Sequence, residues 1–242
     1  MKTRYILLFS ILFIIGACNE NTSETDTEQE NQQEAQGQIE PDLPTVVIID
    51  DNIVAQNIPE GFELVTTGEA QNLITGDFNG DNHKDFAIMI ASENGRDFQD
   101  AEDVRIMIFE GNDKGEFELA AKSDNVGGFF IHYAPTSQLK LTKNIISLKH
   151  QGMRFDHELK YRYNKKLDNY VLIGSEHNDY GNATNDGSGN ISTNYLAGVR
   201  LENLNEWNQE KEELIVLPEV KLKVSKTPIP LSRLNEENVL DF

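Results

Sequence analysis

The chain has 242 residues, of which 41 are acidic and 21 are basic, so its formal net charge is -20 at pH 7. This charge disfavours nucleic acid and anionic lipid headgroups as partners, because affinity for a polyanion comes from Lys and Arg side chains that neutralise phosphates. A single cysteine excludes a disulfide within the chain, so the fold must depend on packing, on hydrogen bonds or on a bound metal.

The first 17 residues have the pattern of a signal peptide. Lys2 and Arg4 precede an apolar run over 5–17 that is broken only by two small residues. A helix needs ~20 apolar residues to cross a bilayer comfortably, and this run is shorter. The pattern therefore predicts a signal peptide over residues 1–17, and not a membrane-spanning helix.

Cys18 directly follows Ile15, Gly16 and Ala17. This arrangement resembles the lipobox of bacterial lipoprotein precursors. The resemblance implies that the Cys18 thiol is acylated, that the preceding peptide is removed, and that Cys18 becomes the first mature residue. Two or more acyl chains give stable anchoring, since each buried CH₂ contributes ~0.8 kcal/mol. We therefore expect a lipid-anchored protein of the bacterial cell envelope, outside the cytoplasm, on a periplasmic or surface face of the outer membrane.

Residues 18–43 are predicted to form the lipidated cysteine and a disordered acidic linker. After Cys18 this segment has no Lys or Arg and contains eight acidic residues, namely Glu20, Glu24, Asp26, Glu28, Glu30, Glu34, Glu40 and Asp42. Such a composition cannot bury enough apolar surface to offset the entropy of ordering, and its like charges extend the chain. An acidic signal for export to the cell surface is an alternative interpretation of the same residues.

Residues 44–242 are predicted to form a single β-rich globular domain. Clusters of Gly, Asn and Asp separate eight short β-prone runs. These runs are Leu73 to Phe78, Asp85 to Ser92, Asp103 to Glu110, Glu116 to Lys122, Gln138 to Leu141, Ile145 to His150, Glu158 to Tyr163 and Tyr170 to Ile173. A helical pattern is confined to short pieces such as the stretch near Asn203 to Glu213. The predicted fold class is all-β, mainly an antiparallel meander with minor helix, and a partial β-propeller is the alternative arrangement.

Two hairpins are predicted within this domain. Apolar and polar residues partly alternate on both sides of 111–115, which is rich in turn-forming Gly, Asn and Asp. The same alternation surrounds 164–169, between runs ending at Tyr163 and beginning at Tyr170. Both patterns are typical of adjacent antiparallel strands.

The segment 76–86 has the spacing of a cation-binding loop. Counting Asp77 as position one places Asn79, Asp81 and Asp85 at positions three, five and nine, and the backbone carbonyl of His83 at position seven. Calcium prefers six to eight hard oxygen ligands, and a loop with ligands at alternating positions can wrap one ion. Closely spaced carboxylates also repel unless a cation lies among them. The sequence therefore predicts a structural calcium ion here.

The loop departs from an EF-hand at two positions. Ile88 stands at position twelve, where an EF-hand has a bidentate Glu, and a strand pattern follows in place of a helix. Asn82 stands at position six, where Gly is usual, but Asn tolerates the left-handed conformation better than most residues. A metal-free turn rich in Asp, Asn and Gly is the alternative interpretation.

With a strand on either side, this loop resembles the calcium loops of FG-GAP or VCBS-type repeats, over roughly Leu73 to Ile90. Only one good copy is found, whereas a complete propeller needs several. More of the chain is similar to small bacterial lipoproteins of unassigned activity. The similarity lies in Leu172-Ile173-Gly174 and in Ser192-Thr193-Asn194-Tyr195-Leu196-Ala197-Gly198. This resemblance implies a shared fold and brings no catalytic assignment.

No residue pattern predicts a catalytic site. The histidines His132, His150, His157 and His177 are dispersed and lack the spacing of a zinc protease motif. Several aromatic residues fit either a core or a sugar-binding surface, namely Tyr161, Tyr163, Tyr170, Tyr180, Tyr195 and Trp207. We expect a non-enzymatic, calcium-stabilised module that presents a surface to a protein or glycan ligand. A periplasmic or surface hydrolase acting on polysaccharide or peptide is the alternative.

Overall fold

The computed structural model describes residues 48–67, 70–92, 103–126, 137–239 and 242, which belong to one compact unit. The predicted signal peptide, Cys18 and the acidic linker over 18–43 lie outside the described residues. The described part is built almost entirely from antiparallel strands, so the predicted all-β fold class is confirmed.

Fifteen strands and one α-helix are present among the described residues. They are α1 (Asp51–Asn57), β1 (Phe62–Leu64), β2 (Thr66–Thr67), β3 (Ala70–Gln71), β4 (Leu73–Gly76), β5 (Asp85–Ser92), β6 (Val104–Gly111), β7 (Phe117–Lys122), β8 (Gln138–Thr142), β9 (Ile145–Gln151), β10 (Phe155–Asn164), β11 (Asn169–Asp179), β12 (Gly189–Asn194), β13 (Val199–Asn208), β14 (Glu213–Val216) and β15 (Val220–Lys223). A 3₁₀ helix follows at Leu231–Arg233. No helix in the described ranges has the length and apolar character needed to cross a bilayer.

These strands form two main sheets and a small ribbon. The first sheet has the order β1-β5-β6-β7, and β4 also pairs with β5. The second has eight strands in the order β14-β13-β12-β11-β10-β9-β8, with β15 also paired to β13. From β8 to β14 every strand pairs with its sequence neighbour, so the predicted meander is confirmed. The hairpins predicted around 111–115 and 164–169 are also confirmed, as β6–β7 and β10–β11.

The main hydrophobic core lies between the two sheets. Alternate residues of β5, such as Ala87 and Met89, pack there with Leu159 and Tyr161 of the second sheet. The other face of β5, including Phe86 and Ile88, forms a second core with Val54 of α1 and with Met107 and Phe109 of β6. Because β5 is covered on both faces, its sequence is a nearly continuous apolar run and not an alternating one.

The helical prediction near Asn203 to Glu213 is wrong. Residues 203–208 belong to β13, which pairs with β12 on one side and with β14 and β15 on the other. The side chain of Asn208 accepts hydrogen bonds from the N–H groups of Glu210 and Lys211, and Glu212 has a positive φ of 51°. Pairing of 203–204 with β12 and of 205–208 with β14 therefore outweighs local propensity, and the turn begins where the pattern suggested that a helix continues.

The observed helix α1 is seven residues long and was not among the predicted elements. Asp50 caps its N-terminus, because Oδ1 of Asp50 accepts hydrogen bonds of 3.0 Å from the N–H groups of Asn52 and Ile53. Val54 is buried against the first sheet. So short a helix is stabilised by packing and capping more than by its own propensity.

Candidate metal centre

The predicted cation loop connects two paired strands of the first sheet. Residues 77–84 lie between β4 and β5, which are antiparallel, with Gly76 opposite Asp85. The turn between β10 and β11 lies close by, since a Cβ built on Gly80 would stand 3.8 Å from Nζ of Lys165. The loop is therefore at an end of the molecule where elements of both sheets meet.

The loop winds around the carboxylate of Asp77. Its Oδ1 accepts hydrogen bonds from the N–H groups of Gly80, at 2.6 Å, and Asp81, at 3.2 Å. Its Oδ2 accepts a third, of 3.0 Å, from the N–H of Asn82. The backbone of Asn82 has a φ of 71°, which is the left-handed conformation that the sequence predicted this residue to tolerate. One carboxylate thus sets the curvature of the loop.

Asn79 and Asp81 form the next layer of contacts. The Asn79 amide donates to Oδ2 of Asp81 at 3.0 Å, and its Oδ1 accepts from the Asp81 N–H at 3.0 Å. The other oxygen of Asp81, Oδ1, accepts a 2.8 Å hydrogen bond from the N–H of His83. Positions one, three and five of the predicted ligand set therefore share one tightly bonded loop.

Asp85 is directed into the protein. The residue is fully buried, its Oδ2 accepts a 2.7 Å hydrogen bond from the N–H of Phe78, and its Oδ1 accepts a 3.1 Å bond from the N–H of Gly111. Burial raises the pKa of Asp85 to about 6, and the neighbouring carboxylates of Asp81 and Glu110 also raise it. The hydrogen bonds from the two N–H groups lower the pKa and offset only part of this effect. A nearby cation would favour the ionised form of this side chain.

Gly111 is a functional position that sequence reasoning did not identify. A Cβ at this residue would stand 2.2 Å from the carbonyl oxygen of Lys84, which leaves no space for a side chain. The close approach lets the end of β6 donate its N–H to Asp85, 26 residues earlier in the chain. No local sequence signal predicts a contact over that separation.

Tyrosines of the second sheet border the same region. The Tyr170 hydroxyl donates a 2.8 Å hydrogen bond to Oε1 of Glu110, and burial together with this carboxylate raises the pKa of Tyr170. The Tyr163 hydroxyl donates to Asp168, and this bond raises the pKa of Tyr163 to about 12. Their rings lie 5.3 Å apart. The second sheet therefore contributes neutral donors beside an acidic region.

The predicted ligands have the chemistry that calcium prefers. Asp77, Asn79 and Asp81 supply hard oxygen atoms from one loop, and Asp85 stands at its end. In the ranges that the structure describes, no three His, Cys, Asp or Glu side chains form a group that could hold a metal ion. Asp85 directs its two carboxylate oxygens to the N–H groups of Phe78 and Gly111.

Three of the dispersed histidines become neighbours in the fold. His150 of β9, His157 of β10 and His177 of β11 occupy directly opposite positions on successive strands. His150 and His157 are buried, and Oγ of Ser137 lies 2.9 Å from Nδ1 of His150. Burial lowers the pKa of both His150 and His157 to about 4. These two imidazoles are therefore neutral at pH 7.

The aromatic residues divide between the core and the surface. Tyr161, Tyr170 and Tyr195 are buried, as a core interpretation predicts, whereas Tyr180 is 45% exposed.

In comparisons with known proteins, the chain matches no family model and no curated sequence. Functional inference therefore depends on the loop and on the surfaces of the two sheets.

Proposed function

We propose that this protein is a non-enzymatic lipoprotein of the bacterial cell envelope, a calcium-stabilised β module that presents a surface to a protein or glycan ligand. The proposal combines the lipobox-like sequence at Cys18, the acidic linker and the loop at 76–86. The observation that carries it is the course of residues 77–82 around the Asp77 carboxylate, with further oxygen donors at Asn79 and Asp81.

Calcium has a structural role in this proposal. The loop closes the β4–β5 hairpin, and Asp85 at its end is tied to Gly111 of β6. An ion held by Asp77, Asn79, Asp81, the His83 carbonyl and Asp85 therefore joins three strands of the first sheet. Because the folded state alone offers this site, the free energy of binding adds to the stability of the fold.

The lipid anchor places the calcium site outside the cytoplasm. Extracellular calcium modules have dissociation constants of ~10⁻⁴ to 10⁻³ M, which suits the millimolar calcium met outside the cytoplasm. The linker over 18–43 separates the anchor at Cys18 from the β domain, and its acidic residues favour an extended chain. The domain is then held near the membrane with its surfaces accessible to a ligand.

Thermal unfolding of the full-length protein tests the calcium proposal. At a calcium concentration ~100-fold above the dissociation constant, the expected stabilisation is ~2.7 kcal/mol, which raises Tm by several degrees relative to excess chelator. Magnesium is the matched control. It prefers a compact octahedral shell of ligands, so we expect this loop to bind it more weakly than calcium. An identical Tm in calcium, magnesium and chelator would contradict the proposal.

A further inference from the structure

The outer face of the second sheet carries a row of polar side chains, which are four amides and one carboxylate. Gln151, Asp156, Asn178, Asn190 and Asn203 occupy directly opposite positions on β9, β10, β11, β12 and β13. We call this set the amide row. Its members are exposed or half-buried, whereas the adjacent residues His157 and Ser175 on the other face are buried. The row therefore crosses five strands on the side away from the main core.

The central members of the amide row hold one another in place. The Asn190 amide donates a 2.7 Å hydrogen bond to Oδ1 of Asn178, and the Asn178 amide donates a 2.8 Å bond to Oδ1 of Asp156. The hydroxyl of Tyr180 donates to the second oxygen of Asp156. Polar residues on an outer sheet face are ordinary. Here a head-to-tail chain of hydrogen bonds also fixes the side chains before a ligand binds, which lowers the entropy cost of binding.

The adjacent positions on this face carry charges of both signs. Lys160 lies 3.5 Å from carboxylate oxygens of both Glu158 and Glu176, and Ser192 donates a 2.9 Å hydrogen bond to Glu176. In a chain with a net charge of -20, this surface therefore offers amide groups and partly paired charges. An uncharged ligand is neither attracted nor repelled by the remaining charge, so its binding depends on hydrogen bonds to the polar side chains.

We infer that the amide row binds a neutral, extended β-linked polysaccharide lying across the strands. Neighbouring strands are ~4.8 Å apart, so the row offers one polar side chain at nearly the length of one pyranose unit in an extended β-1,4-linked chain. Each Asn offers two donors and an acceptor oxygen, and the internal bonds leave part of this capacity for sugar hydroxyls, which both donate and accept. The inference rests on the proposed function and specifies its ligand as a glycan.

Tyr180 adds an apolar contact beside the row. Its ring is 45% exposed, and its position is fixed by the hydroxyl bond to Asp156 and by a 2.7 Å bond from its N–H to the Arg154 carbonyl. An aromatic ring with a polar end packs against the C–H face of a pyranose while keeping its hydroxyl bonded. An extended peptide is a poorer match, because a flat polar face has no pockets for its alternate side chains.

Calorimetry with the full-length protein tests this inference. Cellohexaose and chitohexaose are the β-1,4-linked probes, and maltohexaose is the control, because its α-1,4 linkage coils the chain. We expect binding of at least one β-linked probe, affinity that rises with oligosaccharide length up to about five sugars for the five strands, and no binding of maltohexaose. Equal binding of maltohexaose, or no binding of either β-linked probe, would overturn the inference.

Substitutions within the row sharpen the test. Asn178→Ala should weaken binding by tenfold or more, because it removes the middle of the bonded chain. Asn203→Ala, at an exposed position, should weaken it several-fold with Tm unchanged. Gln71→Ala removes an exposed amide in β3 and is the matched control, with wild-type affinity expected. Unchanged affinity in both row variants would contradict the inference.

The calcium measurement keeps the two proposals distinguishable. A protein that binds the β-linked glycans but shows no calcium-dependent Tm supports the amide row and contradicts the metal site. A protein with a calcium-dependent Tm that binds none of these glycans retains the metal site and overturns the amide row.

Discussion

The N–H of Gly111 donates a 3.1 Å hydrogen bond to the buried carboxylate of Asp85, which joins the end of β6 to the start of β5. The bond forms because Gly111 has no side chain, so its backbone can approach the carbonyl oxygen of Lys84. Asp85 also accepts the N–H of Phe78. The last predicted calcium ligand is therefore also the link between the loop and the rest of the first sheet.

Replacing Gly111 should destabilise the protein strongly. A Cβ in Gly111→Ala would stand 2.2 Å from the Lys84 carbonyl, and backbone atoms cannot rotate away. We expect a loss of ~1–3 kcal/mol or more of unfolding free energy, measured by urea denaturation. Gly61→Ala is the control: Gly61 has a φ of +80° but open space around it, so its cost should stay near 1 kcal/mol. Equal losses in the two variants would show that the Lys84 contact is not limiting.

Asp81→Ala should remove the response to calcium. Asp81 supplies a carboxylate at position five and lies on the surface, so its loss weakens the ion site without opening the core. We expect Tm in calcium to fall to its value in chelator, as measured by scanning calorimetry. Asp113→Ala, at an exposed acidic position in the β6–β7 turn, should keep the full calcium-dependent shift. A calcium shift that persists in Asp81→Ala would dismiss the assignment.

The buried histidines should make the protein sensitive to acid. The pKa of His150 and of His157 is about 4 in the folded state, against 6.5 for an ordinary histidine, so the unfolded chain binds more protons between these values. Stability should therefore fall as the pH decreases from 6.5 to 4, by about 3 kcal/mol for each histidine. The raised pKa of Asp85 acts in the opposite direction between pH 6 and 3.8.

Urea unfolding at a series of pH values, in chelator, measures this dependence. His150→Asn retains a polar side chain beside Ser137 and should reduce the slope of stability against pH between 6.5 and 4. Gln71→Asn, at an exposed position without a titratable group, should leave that slope unchanged. The histidine explanation fails if His150→Asn has the wild-type slope.

Phe86→Ala should test the second core. The Phe86 ring is fully buried, stacks on Phe109 with centroids 4.7 Å apart, and meets the edge of Phe117 at 5.1 Å. We expect a loss of ~3–5 kcal/mol, because a large cavity forms between the first sheet and α1. Leu119→Ala, at a position that is 48% exposed, should cost less than ~1 kcal/mol in the same denaturation experiment. A small loss in Phe86→Ala would show that the space collapses.

Eight of the strands are predictable from sequence because turn residues separate them clearly. The runs at 85–92 and 145–150 lie within one residue of observed strands, whereas β12 to β15 are not among the predicted runs and the strand order is known only from the structure. The stretch near Asn203 to Glu213 misleads because its apolar spacing suits a helix, whereas residues 203–208 pair with β12 or β14 in the fold. The helix α1 is too short for a periodic signal.

The candidate site is predictable only in part. The spacing of Asp77, Asn79 and Asp81 indicates a wound loop, and the left-handed Asn82 follows from the same spacing. The inward direction of Asp85 is not predictable, because it depends on Gly111 in another strand. The amide row is equally hidden, since its members are scattered along the chain until strand register brings them opposite one another.

The sequential pairing from β8 to β14 has a consequence for how the chain folds. Each pairing closes only a short loop, so the entropy lost at each step is small. This sheet can therefore grow hairpin by hairpin from any of its turns, before it packs against the first sheet. Because each new hairpin pairs with an edge of the one before it, the growing sheet leaves few strand edges open to aggregation.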